Sequence, residues 1–190
     1  MKHRLLPILM AATAVYHGHA QESISVSFPE AAVQDILAFY GRLTGFHIVA
    51  DSQVMGQLSL VTTEPVSAAK AIELVEAVLF ANGFSIIQIQ PDTLQIVGLG
   101  RSARSEALPI VTTPEQLPKG ERVVSYVFKL KHRNPDEIAQ LLNLQYAPSN
   151  SMLPSIIPDP VSRCLVVTAR SSVLREMIRL VSELDVAKSQ

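Results

Sequence analysis

His47 and His132 are the side chains beyond Ala20 best suited to bind a metal or to transfer a proton. Neither has a second His or a Cys at ligand spacing, whereas a zinc site needs three or four converging ligands. Acidic residues such as Asp35 and Glu76 occur singly and fit helix surfaces, where no acid–base role is implied. The sequence therefore predicts no catalytic residues, no metal site and no cofactor.

Nucleophile and phosphate-binding motifs are also missing from the sequence. It contains no Gly-x-Ser-x-Gly turn, no Walker-type loop and no His-Glu-x-x-His helix. Gly98-Leu99-Gly100 lacks the third glycine and the following helix of a dinucleotide-binding turn. We therefore predict that the protein is not an enzyme and has no small-molecule substrate.

The composition indicates a folded chain without a strong electrostatic preference. Of the 190 residues, 48% are hydrophobic and 17% are charged, and the formal net charge is −1. These values support a buried core and give no basic excess for nucleic acid or an anionic membrane. The lone Cys164 lies in an apolar, β-type run and is predicted to be a buried thiol.

The N-terminal segment 1–20 has the pattern of a cleaved signal peptide. Lys2 and Arg4 precede an apolar run from Leu5 to Val15, and Gly18-His19-Ala20 places small residues before a cleavage point. The run is shorter than the roughly 20 residues that a membrane-spanning helix needs. We therefore expect an exported chain whose mature part does not span a membrane.

Apolar periodicity predicts a first module over residues 22–98. Alternation from Ile24 to Phe28 indicates a strand, and two helices follow that end at Gly45 and Gly83. Ser67 is the predicted N-cap of the second helix. Two strands between the helices and a closing hairpin complete the order of elements.

Periodicity is lost over residues 99–121, where Gly, Pro, Ser, Thr and charged residues dominate. We predict a flexible linker there and a second module over residues 122–187. Asn134 and Ser171 are the predicted caps of its two helices. Both modules have the order β-α-β-β-α, so the predicted fold class is α+β, with two helices packed on small mixed sheets in each module.

The second module shares its element order with KH-type RNA-binding domains. Those domains clamp the nucleic-acid backbone with a Gly-x-x-Gly loop, and no glycine lies between Glu121 and Gln190. Lys129, Lys131, His132 and Arg133 form only a small basic patch. The prediction is a KH-like fold that binds no nucleic acid.

Short motifs follow one another through both modules. The first holds Ile24-Ser25-Val26-Ser27-Phe28, Thr44-Gly45, Asp51-Ser52-Gln53-Val54-Met55-Gly56, Pro65-Val66, Asn82-Gly83-Phe84 and Leu94-Gln95-Ile96-Val97. The second holds Tyr126-Val127-Phe128-Lys129-Leu130-Lys131-His132, Ile157-Pro158-Asp159, Leu165-Val166-Val167-Thr168-Ala169 and Leu184-Asp185. In this order they resemble the first two periplasmic N-domains of bacterial secretins, and most closely the start of the type II secretion secretin. The first of these is also called the secretin and TonB short N-terminal domain.

This resemblance implies a periplasmic assembly module associated with an outer-membrane secretin complex. The first domain would receive an inner-membrane secretion protein, and the second would pack against other secretin subunits in a ring. Secretins continue with further ring domains and a pore-forming β-domain, whereas this sequence stops at Gln190, so we expect no pore from it. A piece of a longer secretin and a separate periplasmic protein both remain open.

The strand Ile24-Ser25-Val26-Ser27-Phe28 is the predicted partner-binding site. With serines on its outer face, the strand could offer an open edge to which a partner adds a strand of its own. The alternative for these residues is an internal or covered strand.

A different function would follow if the first module acted alone. Signalling modules in front of TonB-dependent transporters resemble it and bind an anti-sigma regulator in the periplasm. The second module does not belong to that architecture, so the secretion role is the preferred hypothesis.

Overall fold

A computed structural model describes residues 23–98, 108–146 and 153–187. The predicted signal peptide, 1–20, lies outside these residues, as do positions 99–107 of the predicted linker. Over the described residues the chain has four α-helices and several small sheets, which confirms the predicted α+β class.

The first module is built from seven strands and two helices. They are β1 (Ser23–Ile24), β2 (Ser27–Ala32), α1 (Val33–Thr44), β3 (His47–Ala50), β4 (Gln57–Val61), β5 (Val66–Ser67), α2 (Ala68–Ala81), β6 (Ser85–Gln90) and β7 (Thr93–Val97). The predicted closing hairpin is β6 and β7, which pair antiparallel.

The largest sheet of this module has three strands, in the order β3-β7-β6. β7 is its central strand, and β3 pairs with it in parallel. Two separate two-stranded sheets, β1-β5 and β2-β4, form antiparallel pairs. The two helices contact each other. Each also contacts the three-stranded sheet and the β2-β4 pair: α1 contacts β3 and β2, and α2 contacts β6 and β4.

Helix boundaries in this module follow local chemistry. Gly45 adopts the left-handed conformation, with φ of 75°, and its N–H donates to the Gly41 carbonyl at 2.8 Å. A side chain would strain that conformation, which explains why α1 ends there. Ser67 caps α2 as predicted, because its Oγ accepts from the Lys70 N–H at 3.2 Å.

The second module contains the predicted β-α-β-β-α order. Its elements are β9 (Val123–Lys129), α3 (Pro135–Tyr146), β10 (Ser155–Asp159), β11 (Cys164–Arg170) and α4 (Ser171–Leu184). The sheet order is β10-β11-β9-β8, in which β8 (Ile110–Val111) pairs in parallel with β9.

Part of the predicted linker therefore has regular structure. β8 and a short 3-10 helix, Pro114–Gln116, both fall within residues 108–121. Val111 and Leu117 are buried in the core of the second module. The module boundaries drawn from sequence stay a prediction.

The two predicted caps of the second module have different outcomes. Asn134 Oδ1 accepts from the Asp136 N–H at 2.8 Å, as a residue at a helix start should. Ser171 is not a cap, because Arg170 holds that position and Ser171 is the first residue of α4. Its N–H and Oγ both donate to the Arg122 carbonyl, at 2.8 and 3.0 Å. The hydroxyl thus donates to a distant carbonyl and does not accept from a local helix N–H, as a cap would.

Buried side chains form two main apolar clusters, one in each module. Tyr40 and Leu79 belong to the first cluster, and Leu142 and Leu174 belong to the second. Within the described ranges, no helix combines the length and the apolar character needed to cross a bilayer.

Candidate partner-binding edges of the first module

Metal-ligand chemistry is sparse in the described part of the chain. Across 23–98, 108–146 and 153–187, no three His, Cys, Asp or Glu side chains lie close enough together to hold a metal ion. His47 is exposed, 4.0 Å from the Asp92 carboxylate, and His132 is exposed near the end of β9. Protein edges that could receive another chain are therefore the features to compare.

The predicted binding strand, residues 24–28, is divided between two sheets. Ile24 belongs to β1 and lies opposite Val66, whereas Ser27 and Phe28 belong to β2. Ser25 and Ser27 are exposed, in agreement with the predicted outer face. These residues lie along one path, but they do not form a single continuous strand.

Val26, at the centre of this path, is directed into the fold. Its side chain is fully buried in the first apolar cluster. Its N–H donates to Thr62 Oγ1 at 3.3 Å, and its carbonyl accepts from the Thr62 N–H at 2.8 Å. Both of its backbone polar groups are therefore satisfied internally and are not available to a partner strand.

β2 carries two features that disfavour the addition of a strand. Pro29 lacks an N–H, and Glu30 has a positive φ of 48° at a bulge between Phe28 and Ala31. Prolines and bulges are common on natural edge strands because they interrupt regular pairing. Ser25 and Ser27 are thus the accessible residues of the predicted site.

The outer side of β3 is a second edge of the first module. The His47 N–H donates to the Asp92 carbonyl and the Asp51 N–H donates to the Ile96 carbonyl, each at 2.9 Å. Because peptide groups alternate sides along a strand, those of Ile48 and Ala50 face away from β7. No strand pairs with that side within the described residues.

A groove runs beside this edge, between β3 and α1. Its volume is about 560 Å³. Leu37, Ala38 and Gly41 of α1 form one wall, and β3 forms the other. A methyl group added to Gly41 would lie 3.3 Å from both the Ile48 side chain and the Phe46 carbonyl, so helix and strand approach closely here. An extended chain lying in the groove would meet the outward peptide groups of β3 on one side and, on the other, an α1 wall that also includes Gln34 and Arg42.

The sequence analysis identified β3 as a strand but not as an edge. Its position depends on the parallel pairing with β7, which joins segments far apart in the chain. No local pattern in residues 47–50 shows which side of the strand is paired. His47, Val49 and Ala50 are all exposed in the structure, but side-chain exposure reports the face of a sheet and not which of its edges is unpaired.

Two family models match the chain, one in each module. The GspD-like N0 domain matches residues 26–96, and the bacterial type II/III secretion system short domain matches residues 125–190. The first match lies within the segment 22–98 that the sequence analysis assigned to a secretin N-domain, and the second overlaps the segment 122–187 and extends to residue 190.

Individual relatives agree with these matches. The chain is 23% identical over 186 residues to Secretin GspD 2 of Escherichia coli O78:H11, covering 97% of this chain and 27% of the relative. It is 26% identical over 177 residues to the type IV pilus biogenesis and competence protein PilQ of Neisseria meningitidis serogroup B, covering 88% and 22%. The chain thus spans about a quarter of the length of the curated relatives it matches.

A solved structure shows the same fold. The Klebsiella pneumoniae type II secretion system outer membrane complex, with PulD, PulS and the PulC HR domain, matches with a TM-score of 0.68 at 21% identity. The match covers 85% of this chain and 26% of that one. The resemblance predicted from sequence is confirmed: the chain carries N-terminal domains of bacterial secretins, of the type II secretion kind.

Proposed function

We propose that this chain is a periplasmic assembly module of a type II secretion channel at the outer membrane. Its first module docks an inner-membrane component of the secretion system, and its second module contacts neighbouring secretin subunits in a ring. The observation that carries the proposal is the succession of an N0 match and a secretion-system short-domain match. The role needs no catalysis, since the relatives are secretins and a pilus-biogenesis protein.

The partner class follows from the family and from the Klebsiella complex, which holds PulD together with PulS and the PulC HR domain. A partner that contributes an extended segment would fit the edges of the first module. Main-chain hydrogen bonds to an open strand give such a complex its affinity, and side-chain pockets beside the strand give it specificity.

Two edges compete for this segment. β3 presents the peptide groups of Ile48 and Ala50 beside a groove that both apolar and polar side chains line. Residues 24–28 present exposed serines, but the backbone of Val26 is bonded to Thr62. These contacts favour β3 as the docking edge, with the serine edge as the second candidate.

The second module has exposed apolar side chains suited to contacts between subunits. Leu144 on α3 is 87% exposed, and Val161 in the turn after β10 is 94% exposed. Leu141 on α3 and Ile157 on β10 are exposed as well. Their exposure supports a lateral role, because exposed large apolar side chains favour association.

The alternative role, binding of an anti-sigma regulator, has support from the first module alone. The short-domain match over residues 125–190 gives it no support. The partner recovered by the first module decides between the two roles.

The docking test compares proline substitutions on the two edges. The ligand is the purified periplasmic domain of the inner-membrane secretion component from the same organism. Ala50→Pro removes an outward N–H of β3, and Ser25→Pro removes an N–H that has no acceptor among the described residues. We expect Ala50→Pro to raise the Kd by about tenfold, equivalent to roughly 1.4 kcal/mol, and Ser25→Pro to leave it unchanged.

Two further substitutions are controls for the effect of destabilising the fold on binding. Val49→Pro removes a donor to β7 and Val26→Pro removes a donor to Thr62, so both should lower the melting temperature. Loss of binding by Ser25→Pro alone would assign docking to residues 24–28 instead. Unchanged binding by all folded variants would exclude strand addition, and capture of an anti-sigma regulator in place of the secretion component would replace the proposed role.

A further inference from the structure

A buried ion pair joins the first module to the start of the second. Arg122, immediately before β9, donates from Nη1 to Glu76 Oε1 on α2 at 2.7 Å. The two side chains are only 5% and 2% exposed. A charge pair removed from water in this way is retained only if its geometry is good and its remaining polar atoms are satisfied.

The carboxylate of Glu76 has a complete set of donors. The Tyr40 hydroxyl donates to Oε1 at 2.5 Å, and the Glu121 N–H donates to Oε2 at 2.8 Å. Burial raises the pKa of Tyr40 far above its ordinary value, so this hydroxyl keeps its proton as a donor. Glu76 therefore accepts one bond from its own module and two from the segment that leads into the second.

Arg122 is in turn held firmly by both modules. Its carbonyl accepts from the N–H and Oγ of Ser171, at the first residue of α4. Its backbone also forms a parallel bridge with Ile86 on β6. A displacement of either module would strain or break one of these bonds.

Gly120 shows how closely the chain passes the buried carboxylate. Its φ is 75°, and a Cβ added there would lie 2.8 Å from Glu76 Oε1. Any other residue would have to displace the carboxylate from Arg122. The path of the segment between the modules is thus shaped around the ion pair.

Apolar contacts between the modules lack such directionality. Ile87 and Val97 of the first module pack with Val123 of the second in a small buried cluster. A cation–π contact accompanies this cluster, with Arg170 over the Phe80 ring at 3.6 Å from its centroid. Apolar burial stabilises contact in proportion to area and tolerates sliding, whereas an ion pair with fixed donors does not.

We propose that the Glu76–Arg122 pair is an orientation lock that fixes one arrangement of the second module relative to the first. The apolar cluster holds the two modules together, and the ion pair selects which arrangement they adopt. This inference goes beyond the proposed docking role and does not depend on it. It would keep the docking edges of the first module in a constant direction relative to the ring-forming surface of the second.

The test measures the distance between two spin labels, one on each module. Labels are attached to Asp35→Cys on α1 and Arg179→Cys on α4, both exposed positions, after Cys164→Ser has removed the native thiol. We expect a narrow distance distribution for the parent protein. Arg122→Met and Glu76→Gln should each broaden or shift it, because either change removes the charge attraction that selects the arrangement.

The double variant Glu76→Gln/Arg122→Met separates orientation from stability. Removing both charges avoids leaving one of them buried without its partner, so its melting temperature should exceed that of either single variant. Its distance distribution should nevertheless stay broad. Glu73→Gln is the matched control, because it breaks the exposed pair with Lys70 on the same helix and should change neither quantity.

A narrow, parent-like distribution in the double variant overturns the proposal, even if the single variants are too unstable to measure. The same conclusion follows if Glu73→Gln broadens the distribution as much as Glu76→Gln does. Gly120→Ala is an additional test variant that perturbs the ion pair and removes no charge. It should broaden the distribution by pushing the Glu76 carboxylate away from Arg122.

Discussion

Two carboxylates, Glu76 and Asp185, each connect parts of the chain that are far apart in sequence. Glu76 accepts from Arg122, which is 46 positions away. Asp185, just after α4, accepts from the backbone N–H groups of Lys131, His132 and Arg133 at 2.7, 2.8 and 2.9 Å. In both cases one side chain satisfies several donors that would otherwise need water.

The Asp185 contact predicts a specific dependence of stability on pH. Burial acts to raise the pKa of this carboxyl, but the three backbone donors outweigh it and hold the pKa below its ordinary value of 3.8. A lowered pKa in the folded state contributes stability at neutral pH that is lost as the pH falls below about 4. We expect Asp185→Asn to lower the free energy of unfolding by roughly 1 kcal/mol at pH 7, a value discounted for partial exposure.

Unfolding by denaturant at several pH values checks this expectation. The difference between wild type and Asp185→Asn should shrink as the pH falls below about 4, because the carboxyl then binds a proton in the unfolded chain before it does in the native one. Asp159→Asn is the comparison variant: the pKa of this exposed carboxyl is also lowered, but by groups of its own turn, the hydroxyl and N–H of Ser162 and the N–H of Val161, and not by donors from a distant segment. A difference for Asp185→Asn that is independent of pH would contradict the role of its charge.

The role of neither carboxylate was predicted from the sequence, in which Asp185 was named only as part of the Leu184-Asp185 motif. Glu76 follows Val75 in an ordinary amphipathic helix, and its position suggested a solvated surface residue. What makes it buried is Arg122, which a different module supplies. Residue roles set by local chemistry were predictable, as Gly45 and Ser67 show, whereas Ser171 was misassigned because its hydroxyl bonds to Arg122.

At the scale of elements, each amphipathic helix packs on a core of its own module. Leu79 on α2 and Leu174 on α4 are both fully buried, each in a different apolar cluster. Their stripes were predictable from a period near 3.6 residues, since that spacing places apolar side chains on one helix face. The strand partners were not, because the pairing of β3 with β7 depends on long-range contacts.

Truncation of either leucine should destabilise mainly the module that contains it. We expect Leu79→Ala and Leu174→Ala each to cost roughly 2–5 kcal/mol, since each leaves a cavity in a buried cluster. Hydrogen exchange would locate the effect: Leu79→Ala should raise exchange most in β7, and Leu174→Ala most in β11. Leu144→Ala, at an 87% exposed position, is the control and should change little. Equal increases in β7 and β11 for either core variant would show that the modules open as one unit.

At the scale of the whole molecule, the connection between the modules decides how they act together. The sequence predicted a linker over residues 99–121 because apolar periodicity is lost there. Residues 110–121 nevertheless contribute β8, a 3-10 turn and the Glu121 donor to Glu76. A short polar segment of this kind shows no apolar periodicity, so its structure could not be predicted from the sequence. Its conformation depends on contacts with the two modules that it connects.

Limited digestion with trypsin tests which part of this segment is accessible to proteases. Arg101 and Arg104 lie in the Ser-containing stretch that the sequence assigns to the linker, and Lys119 follows later. The chain around Lys119 is held in place, because the Pro118 carbonyl accepts from Arg175 Nη2 at 2.6 Å and Gly120 packs on Glu76. Cleavage requires a segment to unfold locally into the protease, so we expect the first cuts after Arg101 or Arg104.

The same digestion links the accessibility of Lys119 to the ion pair. Arg122→Met should make cleavage after Lys119 faster. The bond from Arg122 to Glu76 fixes the residues directly after Lys119 against the first module, and the substitution removes it. Glu73→Gln, which breaks only the exposed pair with Lys70, should leave the order of cuts unchanged. Mass spectrometry of the first fragments distinguishes these sites. If Lys119 were the first site cleaved in the wild-type protein, residues 110–121 would behave as a flexible linker after all, and the charge pair would not hold them against the first module.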